Sequence, residues 1–253
     1  MNRYVNLLRN ISNWPLHFMV KLGMSKADPL MMVAKNNIRF EVPRRLHHEF
    51  KEIFLENAYS IGMQKKINEN PTIIDIGANV GFFTMFAMSK YPDCTLYAFE
   101  PVKANFEQLM QNRNLNKDKD IFCFNKAVCG HKGTITLNFD TSNSFTTSAS
   151  ILAQGKDTEG VEVPCLSLAD LFTENSIDFC DLLKLDCEGS EYDVLYNSPK
   201  DILNKIDQMA IEVHQGRGEN ENLASLRTFL EKQGYSLLQF KDKQHMLWAY
   251  RKP

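Results

Sequence analysis

The stretch DIGANVGFFT, residues 75–84, decides the fold. It continues a short apolar run, TIIDIG, and places two glycines and an asparagine between a predicted strand and a predicted helix. Gly77 and Gly81 let a ligand approach the main chain closely, and the N–H groups that open a helix face such a ligand. In open α/β sheets, ligands collect beyond the carboxyl ends of the strands. The stretch therefore predicts a ligand-binding turn at that edge of an α/β sheet.

Strand-like and helix-like segments alternate from residue 72 onward. The predicted strands, in chain order, are TIIDI, CTLYAFE, IFCFNKAV, TITLNF, DLLKLD, QMAIEV, YSLLQF and HMLWAYR. Helices are predicted at FFTMFAMSKY, over residues 102–115, at SLADLF, at SEYDVLYN and at NLASLRTFLEKQG, which ends at Gly234. This alternation is typical of a mainly parallel sheet with helices on both faces. The connection KDKQ is too short for a parallel crossover, so we expect an antiparallel last strand.

Length and composition fit one soluble globular domain. The chain has 253 residues, of which 43% are hydrophobic and 24% charged, enough for one sizeable core. The net charge of −2 argues against a dedicated nucleic-acid-binding protein. The six cysteines form no C-x-x-C pair, and several fall in apolar runs. Buried free thiols in a reducing cytoplasm are therefore expected, rather than disulfides or zinc.

The N-terminal segment has a different character. Its first 27 residues contain four basic residues, interleaved with apolar ones, and no acid before Asp28. No apolar run there is long enough for a transmembrane helix or a signal peptide. We expect a partly helical extension over residues 1–49 and a main domain over residues 50–253. Residues 1–27 either pack on the main domain or contact an anionic membrane peripherally as a basic amphipathic helix.

Two acids near the turn narrow the choice of ligand. The spacing G-x-x-x-G lacks the third glycine of the dinucleotide fingerprint, which disfavours a nicotinamide oxidoreductase. Asp75 can pair with an ammonium group. Glu100 ends the second strand, where a carboxylate can accept hydrogen bonds from both ribose hydroxyls. An amine near the turn and a ribose near Glu100 describe S-adenosylmethionine better than a pyrophosphate.

Four stretches carry a resemblance to a known family. DIGANVGFFT, YAFEPVKANFEQLMQN, LLKLDCEGSEYDVL and IEVH occur in the order and spacing of the FkbM-type methyltransferases. The resemblance spans about residues 50 to 250, and D-x-E-G-S-E is its most discriminating part. It implies a class I S-adenosylmethionine-dependent O-methyltransferase. The implied fold is a Rossmann-like three-layer α/β sandwich around a mostly parallel seven-stranded sheet with an antiparallel last strand.

The resemblance also implies where the cofactor is held. The turn would bind its methionine end, Glu100 its ribose, and the segment from Asn125 to Val128 its adenine. The cofactor-binding residues so expected are Asp75, Gly77, Asn79, Gly81, Phe82, Glu100, Asn125, Ala127, Val128 and Asp186. Residues 1–49 and the Ser/Thr-rich loop 140–160 match nothing in the family pattern, and we expect them to choose the acceptor.

The candidate catalytic residues follow two neighbouring strands. LKLDCEGSE places Lys184, Asp186 and Glu188 on one side if that strand stays extended, and IEVH does the same for Glu212 and His214. His214 is the first candidate for the general base, because histidine titrates near neutral pH. Asp186 would position the acceptor or contact the cofactor near its sulfonium. Lys184 would neutralise the acids or bind an anionic acceptor.

Other roles for the same side chains stay open. Asp186, Glu212 and His214 form an oxygen-rich set that suits Mg²⁺ or Mn²⁺. Lys184 and Glu212 can also form an ion pair that only stabilises the sheet edge, and His214 can be a hydrogen-bonded histidine without a catalytic role.

The expected function is methylation of a hydroxyl on a sugar, glycan precursor or polyketide-like natural product. The resemblance implies this range. A carbohydrate is favoured because Trp14, His47, His48 and the Ser/Thr-rich loop 140–160 can offer stacking and hydrogen bonds. The alternatives are an N-methyltransferase and a non-catalytic cofactor-binding protein of the same fold. The expected partner is a small-molecule or glycan acceptor, and the oligomeric state stays open.

Overall fold

The computed structural model describes residues 3–140 and 158–251, which form nine α-helices and twelve strands. The helices are α1 (Arg3–Asn10), α2 (Pro15–Lys21), α3 (His47–Phe54), α4 (Phe82–Lys90), α5 (Lys103–Asn114), α6 (Leu168–Glu174), α7 (Glu191–Tyr196), α8 (Lys200–Asn204) and α9 (Leu223–Lys232). The strands are β1 (Leu30–Val33), β2 (Arg39–Val42), β3 (Thr72–Ile76), β4 (Thr95–Phe99), β5 (Ile121–Phe124), β6 (Ala127–Cys129), β7 (Gly133–Asp140), β8 (Thr158–Ser167), β9 (Cys180–Leu185), β10 (Ile206–Glu212), β11 (Tyr235–Leu238) and β12 (Met246–Arg251).

The central sheet has seven strands in the order β11-β12-β10-β9-β3-β4-β5. Strands β10, β9, β3, β4 and β5 are parallel neighbours, whereas β12 runs antiparallel to both β10 and β11. The central strand β3 is the apolar run TIIDI, and its last four residues are at most 1% exposed. A strand buried on both faces needs such a continuous apolar run. The prediction of a mostly parallel seven-stranded sheet with an antiparallel last strand is confirmed.

Helices cover both faces of this sheet. On one face, side chains of α3, α4 and α5 share a core with the N-terminal elements, including Leu7 of α1 and Phe40 of β2. On the other face, α6, α7, α8 and α9 pack against β9 and β10. The result is the three-layer sandwich that the sequence predicts.

The structure confirms two predicted helix ends. Ser167 caps α6 by accepting a hydrogen bond from the backbone N–H of Asp170, whose side chain accepts one from the backbone of Ser167 in return. Asn222 caps α9 through the backbone N–H of Ser225. Helix α9 ends at Lys232, and Gly234 follows it with a φ of 90°.

Three sequence predictions need correction. IFCFNKAV is not one strand: it breaks after Phe124, and β6 joins a second sheet of order β6-β8-β7. Strand β8 includes residues 158–160, which the sequence assigns to an irregular loop; the rest of that loop, 141–157, lies outside the described residues. The stretch HHEFKEIFLENAYSIGMQKKI is α-helical only over His47–Phe54.

The early end of α3 has a long-range cause. The Nδ2 group of Asn10 donates to the carbonyl oxygen of Phe54, and that of Asn6 donates to the carbonyl oxygen of Leu55. Asn57 follows with a φ of 54°. Side chains of α1 thus satisfy the last carbonyl groups of α3, which the sequence of α3 alone does not reveal.

The glycine turn after β3 packs directly against the end of β9. Gly77 has a φ of 74°, and a Cβ atom there would lie 1.6 Å from the carbonyl oxygen of Asp186. Gly81 has a φ of 89°, and its Cβ atom would lie 2.6 Å from Cδ1 of Leu109. At Gly77 both the backbone angle and the adjacent backbone exclude a side chain, whereas at Gly81 the left-handed backbone angle is the main reason for glycine, because the Leu109 methyl group can move.

We expect Gly77→Ala to destabilise the fold far more than Gly23→Ala. Gly23 has a similar φ of 71°, but no described atom lies within 4 Å of its Cβ position. Gly23→Ala should therefore cost only the left-handed strain, about 1–2 kcal/mol. Gly77→Ala adds a collision with backbone and should cost about 3 kcal/mol or more in total. Urea unfolding measures both, and equal losses would refute the close packing.

Candidate active site

Two cavities meet at the carboxyl edge of the sheet. The first, here called the turn pocket, has a volume of about 80 Å³ and is lined by the glycine turn and by the segments that follow β4 and β5. The second, here called the acidic cleft, has a volume of about 270 Å³ and lies towards α3, α4 and the end of β10. Four residues line both cavities: Gly77, Asn79, Asp186 and Glu188. Molecules bound in the two cavities would meet at these four residues.

The turn pocket is apolar on one side and carries a carboxylate on the other. Ala127 and Val128 of β6 line it together with Ile135 and Leu137 of β7. Glu100, directly after β4, is only 4% exposed and also lines it. A flat apolar ring beside a group with two hydroxyls fits this combination of surfaces.

Backbone groups hold Glu100 in place. Its Oε2 accepts a hydrogen bond from the N–H of Asn79 at 2.8 Å, and its Oε1 accepts one from the N–H of Val102 at 2.9 Å. Burial raises the pKa of Glu100 to about 7, although these N–H donors act to lower it. Oε1 also accepts a hydrogen bond from Nδ2 of Asn105 at 3.5 Å, so Oε2 is the oxygen with a lone pair left for a hydroxyl.

A buried lysine sits beneath the glycine turn. Lys184 is 3% exposed, and its Nζ lies 3.4 Å from Oδ1 of Asp75 and 3.3 Å from Oδ2 of Asp186. Nζ also donates to the carbonyl oxygen of Gly77 at 2.6 Å. Burial acts to lower the pKa of Lys184, but the carboxylates of Asp186 and Asp75 hold it above its ordinary value. Lys184 is therefore a charged group whose partners all belong to the protein.

Asp75 is an internal partner of this lysine. The residue is fully buried, and Oγ1 of Thr84 donates to its Oδ2 at 2.7 Å. It lines neither the turn pocket nor the acidic cleft. The sequence analysis expects Asp75 to pair with an ammonium group of a ligand, whereas the structure pairs it with the ammonium of Lys184.

Tyr59 joins two acids across the acidic cleft. Its hydroxyl lies 2.8 Å from Oδ2 of Asp186 and 2.9 Å from Oε2 of Glu212. A phenol has one proton to donate, so the Tyr59 hydroxyl serves one of these two carboxylates at a time. Burial, reinforced by Asp186, raises the pKa of Glu212. Asp186 and Glu212 thus share one hydroxyl donor across the cleft.

His214 is held between two other carboxylates. Its Nδ1 lies 3.0 Å from Oε1 of the buried Glu191, and its Nε2 lies 3.6 Å from Oε2 of Glu188. Burial lowers the pKa of His214, but Glu191 and Glu188 together outweigh it and bring the pKa to about 9. His214 is thus an imidazolium at neutral pH, and it lines neither cavity.

Glu188 reaches both cavities through a strained backbone. Strand β9 ends at Leu185, and Glu188 has a φ of 53°, so the chain does not stay extended here as the sequence analysis assumes. Its side chain remains 30% exposed. Burial raises the pKa of Glu188 to about 7, against the opposing effect of His214. Backbone strain of this kind occurs at functional sites when the surrounding structure enforces it.

The three predicted metal ligands, Asp186, Glu212 and His214, do not form one cluster in the structure. Among the described residues, the ligand atoms of Asp186, Glu188 and His214 lie within 4.8 Å of one another, and Glu212 does not belong to this group. Both nitrogens of His214 face carboxylates, and its raised pKa opposes the neutral imidazole that a metal requires.

The remaining predicted residues divide between the two cavities and the surrounding structure. Phe82 lines the acidic cleft. Asn125 lines neither cavity; its Nδ2 donates to the carbonyl oxygens of Glu100 and Pro101. Trp14, His47 and His48, whose side chains are predicted to favour a carbohydrate, also line neither cavity.

Several residues of the site were missed by the sequence analysis. Glu49 and Glu52 of α3 line the acidic cleft, as does Tyr59. Nothing in their local sequence places them there, because their position depends on how residues 28–70 fold over the sheet edge. Glu191 is different: it is the last acid of D-x-E-G-S-E, so that motif pointed to it.

Three features together define the class I methyltransferase fold. They are the strand order of the central sheet, the glycine turn after β3 and the acid Glu100 directly after β4. The Methyltransferase FkbM domain matches residues 75–237, and the chain therefore belongs to the FkbM methyltransferase family. This confirms the resemblance and the predicted fold.

The chain is also similar to individual proteins. It is 27% identical to Methyltransferase 1 of Beauveria bassiana, over 85% of this chain and 91% of that one. It is 26% identical to the 31-O-demethyl-FK506 methyltransferase FkbM of Streptomyces tacrolimicus, over 76% and 83%. The solved structure of methyltransferase FkbM from Methylobacillus flagellatus KT aligns with a TM-score of 0.52 at 14% identity. That alignment covers 81% of this chain and 54% of the other.

We expect Lys184→Met to destabilise the protein by about 3–5 kcal/mol, because it leaves Asp75 buried without its counter-charge. The double variant Lys184→Met/Asp75→Asn should lose clearly less than the sum of the two single variants. A double-mutant cycle by urea unfolding measures this coupling.

Lys65→Met serves as the matched control for this cycle. Lys65 pairs with Asp207, and both side chains are more than 20% exposed, so its loss should cost about 1 kcal/mol or less. Strict additivity of Lys184→Met and Asp75→Asn would contradict a coupled buried pair.

Proposed function

We propose that the protein is an S-adenosylmethionine-dependent O-methyltransferase acting on a hydroxyl of a sugar, glycan precursor or polyketide-like natural product. The observation that carries this proposal is the meeting of the turn pocket and the acidic cleft at Gly77, Asn79, Asp186 and Glu188. Family membership supports methyl transfer. Two adjoining cavities supply what methyl transfer needs: one place for the donor and one for the acceptor.

Four features of the turn pocket suit S-adenosylmethionine. The main chain of Gly77 lines the pocket, and Oε2 of Glu100 can accept a hydrogen bond from a ribose hydroxyl. The apolar side chains of Ala127 and Val128 suit an adenine ring. Asp186 and Glu188 favour a sulfonium cation at the shared edge and disfavour a pyrophosphate. When bound, the cofactor would supply an activated methyl group: the acceptor oxygen would bond to the methyl carbon as its bond to sulfur breaks, and S-adenosylhomocysteine would leave.

The charge of the acidic cleft restricts the acceptor. Five carboxyl groups line it, from Glu49, Glu52, Asp186, Glu188 and Glu212. Its cationic side chains are Lys184, which is paired internally, Lys243 and, when protonated, His245. We therefore infer a neutral polyhydroxylated or cationic acceptor, and Lys184 does not serve to bind an anionic one. The relative named for 31-O-demethyl-FK506 supports a hydroxyl as the acceptor atom.

Glu188 is the proposed proton acceptor, in place of His214. It lines both cavities, and its pKa of about 7 suits a base near neutral pH. An aliphatic hydroxyl with a pKa near 15.7 would still cost about 12 kcal/mol to deprotonate fully by such a base. The proton must therefore leave while the new bond forms. His214, as an imidazolium, orients Glu188 and stabilises its ionised form.

The acid-rich cleft also favours a second candidate, N-methylation of an amine. An ammonium group would bind such a cleft, but it must lose a proton before its nitrogen can attack. An assay with labelled methyl donor across pooled sugars, amino sugars, lipids and small-molecule extracts separates the two candidates. We expect label on oxygen, also after exhaustive chelation. Label on nitrogen alone would establish the second candidate, and activity that disappears with chelation would restore the metal hypothesis.

We expect Glu100 to make nucleoside binding depend on pH. Because the pKa of Glu100 is raised to about 7, its ionised form is complete above that pH and is lost as the pH falls through it. The affinity for 5′-methylthioadenosine, which has a ribose but no titrating amine, should fall about 10-fold from pH 8 to pH 6. Calorimetry measures this. Glu100→Gln should bind more weakly and without the pH dependence; an unchanged pH dependence in that variant would remove Glu100 from ribose binding.

We expect the pH profile of kcat to identify the base. With Glu188 as base and His214 as its cationic partner, kcat should rise through about pH 7 and fall above about pH 9. Glu188→Gln should lower kcat by about 10²–10⁴-fold with little change in cofactor affinity.

His214→Gln is the informative companion variant. It removes the positive charge that lowers the pKa of Glu188, so the rising limb should move to higher pH and the fall above pH 9 should vanish. A different result would identify His214 as the base: kcat would show a single rise near pH 9, and this rise would persist in Glu188→Gln.

A further inference from the structure

We propose that a basic pocket between α1, α2 and α3 binds the phosphate of an anionic phospholipid and docks this face of the protein on a membrane. The pocket has a volume of about 290 Å³. Its polar lining consists of Arg3, Tyr4, His17, Lys21, His47 and Lys51. The proposal is independent of the methyl acceptor, because this pocket shares no residue with the turn pocket or the acidic cleft.

Positive charge dominates the basic pocket. Arg3, Lys21 and Lys51 are its three cations, and among the described residues no carboxylate residue lines it. Arg3 lies 3.1 Å from Glu56, in an ion pair whose members are 53% and 32% exposed, and Lys21 donates to the hydroxyl of Tyr4. In the part of the chain that the structure describes, Lys51 has no ion pair. The pocket therefore concentrates positive charge that an anion would neutralise.

A buried nitrogen in the pocket lacks a partner. His17 is 5% exposed, and its Nδ1 makes no hydrogen bond within the described residues. A buried polar group without a partner costs about 1–3 kcal/mol. Burial, followed by the charges of Lys51, Lys21 and Arg3, lowers the pKa of His17. A phosphate oxygen that accepts a hydrogen bond from Nδ1–H would satisfy this nitrogen and the nearby cations together.

The surface around the pocket favours a lipid over a soluble phosphate. Twelve large hydrophobic side chains are exposed in the described part of the chain, and six of them lie between residues 4 and 24. Leu22 and Met24 are the most exposed, at 72% and 70%. No described helix is long and apolar enough to span a bilayer. Short basic helices with exposed apolar side chains bind instead at the boundary between headgroups and acyl chains.

Helix α3 connects this surface with the acidic cleft. His47, Lys51 and Leu55 follow one another at intervals of four and line the basic pocket. Glu49, Glu52 and Ile53 lie on another side of the helix and line the acidic cleft. A membrane docked at the basic pocket would thus lie about one helix diameter, roughly 10 Å, from the acidic cleft.

Vesicle co-sedimentation of the full chain tests the proposal. We expect binding to vesicles that contain phosphatidylglycerol and little binding to phosphatidylcholine alone. Lys51→Gln should lower the partition coefficient about 5-fold, the effect of one basic residue near an anionic surface. Lys200→Gln on α8 removes the same charge from the opposite face of the sheet and should leave binding unchanged. Equal losses in the two variants would overturn the assigned site, because binding would then reflect net charge alone.

Two further variants separate the parts of the proposal. His17→Phe keeps a packed ring but removes Nδ1, and Leu22→Ser/Met24→Ser shortens the exposed apolar side chains without touching the pocket. His17→Phe and Leu22→Ser/Met24→Ser should each weaken binding to the anionic vesicles. The melting temperature of Leu22→Ser/Met24→Ser should stay unchanged. The last measurement uses inorganic phosphate in place of vesicles. If phosphate raises the melting temperature of the protein while the protein does not bind vesicles, the pocket binds a soluble phosphate and the membrane proposal is wrong.

Discussion

The functional edge of the protein depends on one buried ammonium group. Lys184 of β9 contacts Asp75 of β3, Asp186 after its own strand and the carbonyl oxygen of Gly77 in the turn. These contacts fix the glycine turn against the end of β9, where the backbone of Gly77 and the carbonyl of Asp186 leave no room for a side chain. The turn pocket and the acidic cleft share this junction. The contacts of Lys184 therefore determine both where the glycine turn lies and how the surrounding acids are balanced in charge.

Carboxyl groups are the main ionisable groups that line the two cavities at this edge of the sheet. Their pKa values differ from one another. Glu100 and Glu188 have pKa values raised to about 7, whereas His214 is stabilised as a cation by its carboxylate neighbours. A cationic donor and a neutral or cationic acceptor suit such surroundings. Two of these acids, Asp186 and Glu212, share one hydrogen-bond donor, the hydroxyl of Tyr59. This arrangement favours a carboxylate as the base over an imidazole that is already protonated.

The sequence predicted those parts of the structure that local patterns determine. The central sheet follows from apolar runs, and the ligand turn and Glu100 follow from their positions at strand ends. The assignment of His214 as base did not foresee its charge, because that charge depends on Glu191 and Glu188 packing around it. Tyr59 was missed for a similar reason: its place over the site is set by residues distant in sequence. Of the hairpin formed by β7 and β8, only β7 was predicted as a strand. Strand β8 was not predicted, because it borders a polar stretch without strand periodicity.

The turn pocket is proposed to be a nucleoside site, and calorimetry with S-adenosylhomocysteine tests this most directly. Titration of the full chain should give saturable binding of one molecule per chain in the micromolar range, while NAD⁺ under the same conditions should give no heat of binding. Absence of S-adenosylhomocysteine binding, or comparable binding of NAD⁺, would contradict the central claim.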